Sequence, residues 1–433
     1  MGRTLIHGKA TGMDNTRTAL KIREQLLRFL GIFSPHFPRP GVKFIGEMVY
    51  GLQAAGNVKL SCIGRALDED IPIGKTENRL SRNLAGEGMA DMVLRVIAEE
   101  GARHVGKDTF VAVDPTDLRK LYAEKMPYLA PVRDGDTGEI GRGFHCLAAV
   151  ACEAGSSKIV PLHWRLWSCA APDFVSENEE IFAAAKCIAA YAKKRGIYLF
   201  DRGGDRDVVF EHFLGNSLRF IIRLVGNRNL EWRGKEHLAR DLAGTCPATY
   251  RETVVRETDR GERRYTLELG ERLVRLPGRE EVLRMVVIRG YAEEPMILLT
   301  NVGGTNSQKG LRFILDGRLS RWRVEDTIRF VKQCRDLEDI RLLDYTRLRN
   351  MATLVLAAAY FASTWIGRPL RRDILARNIT RMSRRFFGVA EFCYYAMADG
   401  IATLCRRYGR WKGLGGLLET PDPQLELPLF DST

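Results

Sequence analysis

Between residues 109 and 224 short apolar runs rich in β-branched and aromatic residues alternate with a helical stretch, and two of the runs end in an aspartate. "TFVAVD" (109–114), "GFHCLAAVAC" (143–152), "IVPLHWRLWS" (159–168), "GIYLFD" (196–201) and "LRFIIRL" (218–224) read as strands. The turn-rich "DGDTGE" precedes the second, and a helix is expected at about 176–195. Three strands, a helix and further strands constrain the chain to an α/β layer with a mixed sheet. Strand ends at the edge of such a sheet are where ligands gather, so Asp114 and Asp201 become candidate site residues. One such aspartate alone is usually a turn or helix-capping residue.

Helices are expected on both sides of this layer. Residues 17–100 carry helical periodicity in "ALKIREQLLRFLGIF", "VKLSCIGRALDED" and "KTENRLSRNL". The last two flank a turn through Pro72 and Gly74, and Lys75, Arg79 and Arg82 enrich the second. That pattern fits a helix-turn-helix reader of DNA and fits a solvated basic helix equally well. "GKT" at 74–76 is no phosphate loop, because Glu69 stands where its first glycine belongs and no strand precedes it. "TVVRET", "RRYTLEL" and "LRMVVIRG" between 229 and 295 suggest a mainly β insertion, after which "MILLTN" returns to the main sheet. Helices follow from about 306 to 410.

The charge balance, 67 Lys plus Arg against 54 Asp plus Glu, gives +13 and points to a polyanionic partner, nucleic acid or an anionic membrane surface. "MATLVLAAAYFASTW" (351–365) is too short to span a bilayer and reads as a buried helix. The first thirty residues lack a secretory pattern, so a cytoplasmic protein is expected. Nine scattered cysteines without a CxxC pair are expected to be reduced structural thiols rather than zinc ligands.

Residues 318–332 hold the densest charge pattern. At helical spacing Arg318, Arg321, Glu325, Arg329 and Lys332 fall on one stripe, beside the apolar stripe Val324, Ile328 and Val331. An ordinary ladder of ion pairs has the same spacing. With the two strand-end aspartates, however, Glu325 completes a set of three carboxylates suited to a pair of hard divalent cations, which cleave phosphodiesters by activating water and stabilising the departing 3′ oxygen.

The chain resembles bacterial insertion-sequence transposases of the DDE type through "VDPTD" (113–117), "DRGGDRD" (201–207) and "RWRVEDTIRFVKQ" (321–333). Their signature is Tyr, two residues, Arg, three residues, Glu, six residues, Lys. Arg321, Glu325 and Lys332 match it, while Arg318 stands at the tyrosine position.

The resemblance implies an α/β fold: an RNase H-like catalytic core with a mainly β insertion subdomain and helical N- and C-terminal regions. It divides the chain into a DNA-binding region (1–104), core (105–228), insertion (229–295), second core segment with the Glu helix (296–350), C-terminal helices (351–418) and tail (419–433). Asp114 would bridge two Mg²⁺ ions, for which Mn²⁺ can substitute, with Asp201 and Glu325 binding one each. Arg318, Arg321, Arg329, Lys332 and Arg202 would meet double-stranded DNA, as would Lys75, Arg79 and Arg82 of the N-terminal region. Trp322 is placed to stack on an unpaired base or to pack on a neighbouring helix. Asp205 and Asp207 rank behind Asp201. Asp117, Asp134 and Asp136 read as turn or cap residues, and His145 and His163 as satisfied core or surface histidines. Paired transposon ends imply a homodimer.

One further motif lies in the tail. "QLELPLF" looks like the peptide by which bacterial replication and repair proteins dock on the DNA sliding clamp, with Gln424, Leu427, Leu429 and Phe430 as anchors. Three functions compete: an active transposase, an inactive DNA-binding relative, and a metal-dependent nuclease without strand transfer.

Overall fold

The computed structural model describes residues 15–408, apart from 121–122, 134, 136, 157, 259–260, 304–306, 335–336 and 383–393. Asp134, Asp136 and the "QLELPLF" tail lie outside the described residues. The architecture is mixed α/β. Five helices come first: α1 (Asn15–Leu30), α2 (Arg39–Ala55), α3 (Leu60–Leu67), α4 (Ile73–Leu84) and α5 (Met89–Ala102). Strands β1 (Phe110–Arg119), β2 (Ala130–Arg133), β3 (Ile140–Cys152) and β4 (Ile159–Trp167) follow, then α6 (Glu177–Ala192), β5 (Ile197–Phe200), α7 (Asp207–Gly215) and β6 (Arg219–Arg223).

β4, β3 and β1 pair antiparallel, whereas β1, β5 and β6 run parallel. The parallel step follows from α6, a crossover helix whose N-terminus is capped by the Ser176 hydroxyl accepting from the Glu179 N–H. Its buried face, Ile181, Ala184, Ala185 and Ile188, recurs at helical spacing and seats it on the core. β3 and β5 are buried on both faces along most of their length, as central strands of a covered sheet must be.

The β-rich segment does not fold apart from this layer. After the hairpin β7 (Asn229–Trp232) and β8 (Lys235–Leu238) and helix α8 (Ala239–Gly244), strands β9 (Tyr250–Thr258), β10 (Gly261–Val274), β11 (Leu283–Arg289) and β12 (Met296–Thr300) extend the main sheet. β12 pairs antiparallel with β6, so the order β2-β3-β1-β5-β6-β12-β11-β10-β9 is continuous, with β4 on β3. Arg284 on β11 is buried against Glu271 on β10, its Nε 2.9 Å from the carboxylate. Gly270 beside it is required by close approach, because a Cβ there would lie 2.1 Å from the Pro247 carbonyl oxygen.

Helices α9 (Gln308–Ser320), α10 (Trp322–Cys334), α11 (Tyr345–Tyr360), α12 (Arg368–Met382) and α13 (Tyr394–Tyr408) complete the chain. Ends distant in sequence share one core: Phe29 of α1 packs on Tyr360, Phe361 and Trp365, and Gln53 of α2 donates to the Ala358 carbonyl at 2.6 Å. Asn350 of α11 accepts from the Ala90 N–H and donates to the carbonyls of Leu84 and Gly86, locking α4 and α5 to α11. The apolar 351–365 run is buried within this packing, as its composition led us to expect. Among the described residues no single helix is long and apolar enough to cross a membrane. The described cysteines are free thiols.

Candidate active site

Register alone brings the two aspartates together. Ala112 of β1 is the partner of Leu199 on the parallel β5. Two residues further along each strand stand Asp114 and Asp201, on adjacent strands and the same face. Asp201 follows the last residue of β5, as expected for a strand-end acid. Asp114 differs: β1 continues to Arg119 paired with β3, so the residue lies mid-strand, at the point where the shorter β5 stops.

Glu325 arrives from the first turn of α10, which buries Val324, Ile328 and Val331 against β1 and β3. The stripe predicted for a single helix is interrupted. Arg318 lies in the last turn of α9 and Glu325 in the first turn of α10, and Arg321 is the one residue between the two helices, its N–H shared by the carbonyls of Gly317 and Arg318. Arg321 keeps helical backbone angles (φ −58°, ψ −33°), and its side chain is buried, at 3% exposure.

The three acids converge on that guanidinium. Nη1 lies 3.5 Å from Asp114 Oδ2, and Nη2 3.5 Å from Asp201 Oδ2 and in contact with Glu325 Oε1. Arg223 Nη1, at the end of β6, adds a contact to Asp201 Oδ1 at 3.4 Å, and Arg318 Nη2 reaches the same oxygen at 3.9 Å. Burial pushes the Asp114 carboxyl up to about 7; Arg321 pulls it back, and Glu325 and Asp201 push it further. Burial acts upward on Asp201 too, but Arg321, Arg318, the Arg202 N–H and Arg223 together outweigh it and hold that carboxyl below its ordinary value. Burial first, then the Arg321 charge, lowers Arg318 to about 10. The Nε of Arg321 and Nη1 of Arg318 are buried with no hydrogen-bond partner.

An all-oxygen donor set fits a hard divalent cation, and here three carboxylates share the one Arg321 guanidinium. The present side-chain arrangement is closed by Arg321 itself: among the described residues no three His, Cys, Asp or Glu side chains are grouped so as to hold a metal ion. Donor chemistry therefore fits Mg²⁺, on condition that Arg321 withdraws.

Several other expectations change. Arg321 lies among the acids rather than on an outer phosphate-facing surface. Arg329 is exposed and its carboxylate neighbour is Asp326, 3.7 Å away, so it points off the site. Lys332 lies 3.3 Å from Asp117 and 3.2 Å from Glu338, a cross-link between β1 and the segment after α10. Asp117 is thus a strand residue in an ion pair, not a turn or cap. Arg79 is held by carboxylates of the protein: its guanidinium contacts Glu47 of α2 and lies 2.8 Å from Glu69. Lys75 and Arg82 are exposed on the same helix, and Arg202 is exposed beside Asp201. Asp205 and Asp207 pair with Arg228, and Asp205 also accepts from the Val225 N–H at 2.5 Å, which fixes the glycine turn after Asp201. His145 stacks on Trp167 at 4.5 Å. His163 is a core residue but not a satisfied one; both ring nitrogens are buried without partners, and burial lowers it to about 3.

A cavity of about 250 Å³ is lined by Arg223, Tyr291, Glu294, Met296, Arg318 and Trp322 among others, and two of these, Arg223 and Arg318, reach Asp201. Trp322 is 39% exposed there rather than buried on a neighbouring helix. Sequence reasoning missed Arg223 and Tyr291. Arg223 had the signal that selected the aspartates, a charged residue closing the apolar run "RFII", whereas Tyr291 lies in the turn after β11 and had none.

No family model and no curated protein matches the chain. Among solved structures it is similar to a cryo-EM structure of the piggyBac transposase synaptic complex with hairpin DNA, at 9% identity and a TM-score of 0.42, over 94% of this chain and 81% of that one. Likeness that distant carries no argument about the site, whose description rests on the geometry above.

Proposed function

We propose that this chain is a DNA transposase of the DDE type, which cleaves DNA at transposon ends and joins the freed 3′ hydroxyl to target DNA. The observation that carries the reading is the convergence of Asp114, Asp201 and Glu325, separated by 87 and 124 positions, on one guanidinium where β5 stops beside β1, two inner strands of the sheet. The sheet supports it too: three antiparallel strands, a crossover helix and two parallel strands are the layout an RNase H-like core implies.

Asp114, Asp201 and Glu325 would hold two Mg²⁺ ions, with Mn²⁺ as a substitute. Bound there, the ions supply activation of the attacking water and stabilisation of the departing oxygen. The chain's own residues do the rest. Arg202, beside Asp201, and Arg318 and Arg223, bordering the cavity, offer guanidinium groups to the phosphates on either side of the scissile bond. Trp322 and the cavity beside it accept an unpaired base at the strand end. Lys75 and Arg82 contribute phosphate contacts from α4. A homodimer would pair two ends, and "QLELPLF" would engage a sliding clamp.

The alternative, a transposase-derived DNA-binding protein without cleavage, has one observation in its favour: Arg321 closes the acidic site as arranged. Incubating the protein with Mg²⁺ and labelled DNA from the inverted repeats flanking its gene separates the readings. Joined products support the transposase. Nicks without joining point to a nuclease, and binding without nicks to the alternative.

A further inference from the structure

Resting on the reading above, we propose that Arg321 is a built-in counter-cation that competes with divalent ions for Asp114, Asp201 and Glu325 and leaves them when a DNA phosphate offers it another partner. Ion affinity and DNA affinity are thereby coupled through one side chain.

Four features argue for this. A single guanidinium contacts all three carboxylates, two at 3.5 Å and the third more closely, so it stands where a cation serving the same acids has to stand. The two cannot share that position, and among the described residues no group of acids is arranged to hold a metal ion around it. Its seat is also incomplete. Nε is buried without a hydrogen-bond partner, and Arg318 crowds the same Asp201 with a second positive charge at 3.9 Å. A donor left unsatisfied and a like charge alongside both favour release when a better acceptor comes within reach.

An outward position is available as well. Arg321 is the junction residue between α9 and α10, and its Cζ already lies 6.0 Å from the centre of the Trp322 ring. That ring is 39% exposed and borders the cavity beside Asp201, where the negative charge of a DNA strand would be met. A guanidinium moving to a phosphate exchanges three single-oxygen carboxylate contacts for an anion that can take it bidentately, and aromatic stacking steadies it on the way.

The test is Mn²⁺ binding to the full chain, read by electron paramagnetic resonance of the free ion, with fold checked by circular dichroism. Arg321→Gln is expected to bind Mn²⁺ about tenfold more tightly than wild type, with the gain abolished by adding Asp114→Asn. Arg223→Gln removes an equal charge that touches only Asp201, and is expected to change affinity by less than about threefold. In wild type, Mn²⁺ should strengthen binding of a double-stranded DNA oligonucleotide of arbitrary sequence, measured by fluorescence anisotropy against EDTA; in Arg321→Gln this coupling should shrink.

Mn²⁺ binding that depends on Asp114 but is unchanged or weakened in Arg321→Gln overturns the inference and leaves the functional reading standing. An equal gain in Arg223→Gln overturns it also, since bulk charge would then explain the effect. Should Arg321→Gln not fold, the wild-type coupling decides: DNA affinity indifferent to Mn²⁺ refutes the exchange. No Asp114-dependent Mn²⁺ binding in any variant removes both the inference and the reading beneath it.

Discussion

Asp114→Asn should stabilise this fold while abolishing its chemistry. Burial and two neighbouring carboxylates hold Asp114 at about 7, against an ordinary value of 3.8, and that difference corresponds to on the order of 4 kcal/mol against the ionised form. A carboxyl raised in the folded state binds more protons folded than unfolded, so its stabilising contribution is complete below pH 4. It declines as pH rises and is gone above pH 7, where the folded protein carries the full cost of the charge. Asparagine has nearly the same shape and never ionises. In EDTA, urea unfolding at pH 8 should therefore show the variant more stable than wild type by up to about 4 kcal/mol, shrinking to about 2 kcal/mol at pH 5. Activity and stability would then oppose each other at one residue, as at other sites selected for function. A variant less stable than wild type at pH 8, or a gain equal at both pH values, would refute the reasoning.

Other perturbations divide structure from DNA contact. Arg79→Ala leaves buried Glu47 with only the half-exposed Lys43, 3.8 Å away, and should cost about 3 kcal/mol, seen as a lowered melting temperature. Lys75→Ala with Arg82→Ala should leave melting unchanged but weaken DNA binding and reduce its salt dependence by about two phosphate contacts, read from affinity against salt concentration. Arg284→Met strands Glu271 inside the extended sheet and should destabilise by about 3–5 kcal/mol; a neutral result would show that the β10–β11 pair does not need its ion pair. Deleting residues from Gln424 onward should eliminate pull-down of a sliding clamp without changing DNA cleavage in vitro, and unchanged pull-down would reject the docking role of that tail.

The strands and both aspartates were readable because the signal is local: an apolar run of fixed length that ends in a charge. Register then did the remaining work, carrying the Ala112–Leu199 pairing two residues on to Asp114 and Asp201. What local pattern cannot display is which distant side chain answers a charge. Arg79 looked free to meet DNA because Glu47 lies 32 positions upstream on another helix. Arg321 looked like a phosphate contact on a stripe bordering the apolar face, because Asp114, which it meets, lies 207 positions upstream on a strand. "MILLTN" returns to the main sheet as expected, as β12 on β6, and it is the pairing of β11 with β12 that makes the insertion prolong that sheet.

The central claim is that Asp114, Asp201 and Glu325 act as one unit on a phosphodiester. The most direct measurement is the rate of DNA nicking by Asp114→Asn, Asp201→Asn and Glu325→Gln, each compared with wild type in Mg²⁺ alongside DNA affinity in EDTA. Each single variant is predicted to lose at least about a thousandfold in rate, with affinity held within about threefold, because residues acting as a unit fail together. One variant cutting at the wild-type rate would contradict the account.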